Sequence, residues 1–186
     1  MRLRFNERKA TQIATKLLRL RGGRMSYLKL VKLLYLLDRE ALIRWGRPVT
    51  TDRHCSMNHG LVVSNIYNLI KDEIPPGEHS IWRDFISFPQ NYEVELVSGK
   101  EAGSDELSMA EEELIEEIFG KFGKLGRWDL VKLTHELPEY VDPHGSSLTI
   151  EFRDILKAGK KTEAEIEKIE TEIEDLALSE VIFQLQ

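Results

Sequence analysis

The chain has 186 residues, 41% hydrophobic and 31% charged, with a formal net charge of −6, which suits one domain with a sizeable core and does not require a disulfide-dependent miniprotein. The single cysteine, Cys55, has no internal partner and agrees with a reducing compartment. The start "MRLRFNERKATQIATKLLRLRGG" lacks the apolar core of a signal peptide, and no stretch approaches the roughly 20 apolar residues that span a bilayer. The expectation is a cytoplasmic protein with no membrane partner.

The net charge conceals a division. Residues 1 to 50 hold thirteen lysines and arginines against three acids, so that part is +10 and the remainder −16. Such asymmetry either steers an acidic partner to one surface or is bound by the chain's own acidic half. The basic residues are spread over two amphipathic helices without aromatic interleaving or a reading motif, which disfavours direct nucleic-acid binding without excluding it.

A first helix is predicted from about residue 7 to 21, because Ala10, Ile13, Ala14, Leu17 and Leu18 share a face, Asn6 can cap its start, and Gly22 and Gly23 break it. Ser26 is a plausible N-cap for "YLKLVKLLYLLDREALIRW", where Leu28, Val31, Leu34, Tyr35, Leu42 and Ile43 follow a helical period. Leu30, Leu33, Leu36 and Leu37 widen the apolar surface, so this helix should be central, with neighbours on more than one side. Gly46 and Pro48 end it. Residues 47 to 60 form a connector with room for a short strand or hairpin, and a helix follows from Val62 to Lys71 with Val62, Ile66, Tyr67 and Ile70 inward.

"DEIPPGEH" reads as a loop, and "YEVELVSG" alternates as a short strand does. Ser108 followed by Glu111 is a capping-box signature before a helix with Leu114, Ile115, Ile118, Phe119 and Phe122 on its apolar face; Glu111, Glu112 and Glu113 read as its solvated start. In "RWDLVKLTHEL", Trp128, Val131, Leu133 and Leu137 predict a buried helix ending before Pro138. A short helix follows over Glu151 to Leu156. Thr162 and Glu165 then open an acidic final helix, seven acids and two lysines over residues 161 to 177, with Ile166, Ile169, Ile173 and Leu176 as a stripe that must be covered in cis or by a partner. The expected fold is mainly α, a compact single-domain helical fold with a small β-hairpin or short antiparallel element. It divides into a domain over residues 1–158 and an acidic helix and tail over 159–186.

Enzyme chemistry finds little support. There is no glycine-rich phosphate loop, no HExxH pair and no G-x-S-x-G elbow. Asp38 and Glu40 lie two apart on a helix and do not share a face. "RHCSMNHG", residues 53 to 60, offers Cys55 and His59 four apart, but His79, His135 and His144 add no spaced motif that completes a zinc set. The expectation is no catalytic residue, no metal and no cofactor, with His59 and His135 making structural hydrogen bonds or marking an interface.

Three blocks carry a resemblance: "KLVKLLYLLDREALIRWGRPVT" at 29 to 50, "MNHGLVVSNIYNLIK" at 57 to 71 and "WDLVKLTHELPEY" at 128 to 140. In order and spacing, over about residues 8 to 158, the chain resembles the Panacea antitoxin domain, also described as SocA-like. One departure is Leu61, where the family commonly has proline after the histidine-glycine pair. The resemblance implies an antitoxin of a toxin-antitoxin system that neutralises a cognate protein toxin by direct binding. A related branch implies the alternative of a protease adaptor, and the basic N-terminal part leaves a nucleic-acid-binding transcriptional regulator and a homo-oligomer open. The residues that the matching blocks mark for partner binding or domain integrity are Lys29, Lys32, Tyr35, Asp38, Arg39, His59, Gly60, Tyr67, Trp128, Thr134 and His135. On the leading helix, the polar heads are expected at the edge of an apolar core.

Overall fold

The computed structural model describes residues 3–73 and 79–183. Among these, eight helices carry the architecture, and two small antiparallel sheets tie distant parts of the chain together. The first helix, α1 (Glu7–Leu20), starts where the Asn6 side chain accepts from the Lys9 amide at 3.0 Å and buries Ala10, Ile13, Ala14, Leu17 and Leu18. The strand β1 (Arg24–Ser26) follows, then α2 (Tyr27–Trp45), which Gly46 ends in a left-handed conformation. Ser26 precedes α2, but its side chain makes no capping hydrogen bond.

Helix α2 is the central element. Leu30, Val31, Leu33, Leu34, Tyr35, Leu36, Leu37, Ala41 and Leu42 are all buried, because neighbours cover it on several sides. The connector then forms the hairpin β2 (His54–Met57) and β3 (Gly60–Val63), so Val62 and Val63 belong to a strand and α3 (Ser64–Lys71) begins two residues later than the apolar period indicates. Of "DEIPPGEH", residues 74–78 lie outside the described residues. A short helix α4 (Ile81–Phe85), which the sequence reading lacks, buries Trp82. The alternating stretch near residue 94 is β4 (Glu93–Glu95), paired antiparallel with β1.

The capping box at Ser108 and Glu111 opens α5 (Met109–Phe122). Glu111 itself is buried beside Lys9, with Lys9 Nζ 2.7 Å from Oε1, rather than solvated. Burial opposes ionisation of Glu111, yet Lys9 and the Ser108 donors hold its carboxyl below the ordinary value. Helix α6 (Arg127–His135) packs against α2 and β3. A third strand, β5 (Leu148–Ile150), pairs with β2 in register His54 to Ile150, giving the order β3-β2-β5. Helix α7 (Phe152–Ala158) then carries α8 (Glu163–Phe183).

Helix α8 packs on the same chain through Ile166, Ile173 and Ala177, with Ile169 half-buried. Leu176 is exposed, because the buried stripe passes to Ala177 at its C-terminal end. Arg153 of α7 fastens α8, pairing with Glu170 at 2.6 Å and with Glu163. Among the described residues, no helix is long and apolar enough to cross a membrane.

Candidate functional site

The residues marked by the sequence converge around α2, the β2–β3 hairpin and α6, but they separate into a buried framework and an exposed wall. On α2, Lys29, Lys32 and Asp38 are buried, contrary to the expectation of polar heads at an edge. Each is tolerated because fixed groups from other elements satisfy it. Lys29 Nζ donates to the carbonyls of Gly123 and Leu125 at 2.5 and 2.7 Å, closing the turn between α5 and α6. Burial, with Arg21 nearby, lowers its pKa.

Lys32 Nζ donates to Leu61 O at 2.7 Å, and burial pushes its pKa down to about 7. Directly above stands Gly60, with φ at +83°. A Cβ there would collide with Thr134 Oγ1 and approach Lys32 Nζ to 3.2 Å. Glycine is therefore required twice, for its conformation and for the close approach of the hairpin to α6. Thr134 is buried and donates back to the Leu130 or Val131 carbonyl at 3.0 Å.

Asp38 forms the second knot. Its carboxylate accepts from the amides of Val49 and Thr50 at 2.9 and 2.8 Å, from the Thr50 hydroxyl, and from His54 Nε2 at 3.1 Å. A buried aspartate thereby shapes the segment leading from α2 into β2. One turn away, Tyr35 Oη and Arg39 Nε donate to Glu139 Oε1 at 2.8 and 2.6 Å, and burial first, then Glu139, pushes the Tyr35 phenol well up. Asp52 adds a third anchor, accepting from the amides of Asn65 and Ile66 at the start of α3 at 2.8 and 2.9 Å. Burial raises its pKa against those donors.

His54, Asp52 and Glu139 are absent from the sequence-based set. A signal for His54 lay in Asp38 itself, a carboxylate inside the apolar run "LLYLLDREAL" followed by a Gly-Arg-Pro turn. Such a group needs fixed donors just downstream. Asp52 and Glu139 gave none of their own, since Asp52 lies in the connector and Glu139 follows Pro138, where the predicted helix ends.

The other marked residues face outward. Trp128 is 57% exposed, which corrects its expected burial: it stands at the second position of α6, where the helix leaves the core. Its ring meets the exposed His59 edge-on at 5.8 Å. Tyr67 is half-buried on α3, with Lys71 Nζ 5.6 Å from its ring. These side chains line a groove of about 590 Å³ that also takes in Tyr27 and Tyr92. His135 lies apart, its Nδ1 donating to Val131 O at 2.9 Å and its ring edge-on to Tyr140. In "RHCSMNHG", Cys55 is buried in β2 while His59 stands exposed in the hairpin turn.

Comparison with curated proteins and with solved structures finds no match. A family model described as antitoxin SocA-like, Panacea domain, matches residues 30–140, a narrower span than the 8–158 of the motifs but more than half of the chain. That span holds α2 from Leu30 onward, the hairpin, α6, Glu139 and the exposed Trp128 and Tyr92, and with it this chain belongs to the SocA-like antitoxin family of Panacea domains.

Proposed function

We propose that this chain neutralises a cognate protein toxin by direct, stoichiometric binding. One observation carries the reading within the family: Lys32, Tyr35 and Asp38 of α2 are consumed by internal hydrogen bonds, while Trp128 and Tyr92 stand exposed beside the hairpin and α2 that those bonds fix. A fixed framework presenting exposed aromatic rings is what a binding surface requires. Little conformational freedom is lost on association, and aromatic residues supply most of the affinity.

Co-expression with the product of the adjacent gene tests the reading. Restored growth together with a stable one-to-one complex is the expected outcome. Protection that disappears in a protease-deficient host, with the toxin accumulating there, would replace it with the adaptor mechanism.

A further inference from the structure

The groove beside Trp128 has a chemistry that the fold does not require. None of the residues lining it carries a carboxylate, in a chain with thirty-two acids and a net charge of −6. Its cation is Arg127, whose guanidinium lies 5.5 Å from the Trp128 ring and 5.9 Å from the Tyr92 ring. Arg127 makes no hydrogen bond or ion pair among the described residues. Arg8, Arg24, Arg39, Arg44, Arg83 and Arg153, by contrast, each hold a carboxylate. A guanidinium flanked by two rings has its position settled in advance while its donors stay open to two carboxylate oxygens.

Tyr92 adds an independent sign. It is 67% exposed with φ at +65°, directly after Asn91 at +50°. A bulky side chain in the left-handed region is strained and persists only where neighbours hold it. Here the Tyr27 amide donates to Tyr92 O at 3.0 Å, and Gln90 and Glu93 close the turn with a pair of backbone hydrogen bonds. Lys71 places a second positive charge 4.5 Å from the Tyr27 ring.

We infer that this groove receives an acidic segment of the cognate toxin, with a carboxylate of that segment on Arg127 and a neighbouring apolar or aromatic side chain between Trp128, Tyr92 and Tyr67. The inference rests on the toxin-binding reading above. A phosphate would also suit Arg127, but a polyphosphate chain needs a row of cations, and the groove lining holds one arginine and no lysine.

Calorimetric titration of the purified chain with the adjacent gene's product, at about 50 and 300 mM salt, tests it. Arg127→Glu and Trp128→Ala are each expected to weaken binding at least about thirty-fold, with Arg127→Lys intermediate. Helical content and Tm should hold, since both side chains stand at the surface. Wild-type affinity for both variants, with protection intact, overturns the groove assignment and leaves the antitoxin reading standing. A wild-type chain that neither binds nor protects overturns both. A twelve-nucleotide oligothymidylate that binds the wild type and is released by Arg127→Glu would reassign the groove to nucleic acid.

Discussion

Gly60 concentrates two constraints on one atom position, and they can be separated. Gly60→Ala imposes a left-handed φ on alanine and drives its methyl into Thr134 Oγ1, so a loss of about 2 kcal/mol or more is expected in urea unfolding. Adding Thr134→Ala removes the collision but not the backbone strain, so the double variant should recover only part. Full recovery would show that φ at this turn is unimportant. Lys32 makes a pH-dependent claim. Burial holds its pKa at about 7, below the ordinary 10.5, so between those values the unfolded chain binds a proton that the folded chain releases. Stability gained from this group therefore rises with pH from about 7 to 10, by at most about 1.4 kcal/mol per unit, and is flat below, where both states are protonated. Tyr35, pushed up by burial and Glu139, titrates above that window. Unfolding measured at about pH 7 and 9.5 should show a steeper rise in the wild type than in Lys32→Met, which keeps only the smaller contribution of Lys29; equal slopes would mean that Lys32 keeps its proton in the fold.

Among the elements, α2 was legible because nine apolar residues crowd it from Leu30 to Leu42, which no single amphipathic stripe explains. The helix caps at Asn6, Ser108 and Thr162 were legible for a local reason, since cap and partner lie three residues apart. Lys32 and Asp38 were misplaced because what makes their burial tolerable, Leu61 O and the Val49 and Thr50 amides, comes from another segment. A three-residue strand such as β5 carries too little alternation to be seen. Trp128 shows the converse: its apolar character suggested the core, yet its position at the start of α6 puts it outside. Helix α8 offers a test at this scale, because Ile166 is fully buried where it meets the rest of the chain. Ile166→Asp should release the helix, so that amides of residues 163–183 exchange with solvent rapidly while those of α2 stay protected. Protection retained across α8 would mean that Arg153 and the C-terminal contacts suffice.

Across the whole molecule, the +10 stretch of residues 1–50 and the −16 remainder are joined to each other by ion pairs. Arg8 to Asp105, Lys9 to Glu111, Lys16 to Glu112, Arg24 to Glu93 and Arg44 to Glu117 link the basic N-terminal stretch to acids of the later chain. Such a surface has little field left for a polyanion. A labelled DNA duplex titrated at about 50 mM salt should therefore show no saturable binding; affinity that falls steeply with salt and with Lys9 or Lys16 substitution would restore the regulator alternative. The long-range strand pairs also set an order of events. The aromatic groove draws its walls from Tyr27, from the β2–β3 hairpin and Tyr67, from Tyr92, from Trp128 and finally from Gly145 and Ser146. Strand β5, which completes the sheet behind it, pairs Ile150 with His54. A ribosome must therefore carry synthesis past Ser146 before every wall of the groove exists. The interval between the start of synthesis and a finished groove is thus written into the topology, and any partner of that groove completed sooner would meet no surface to bind.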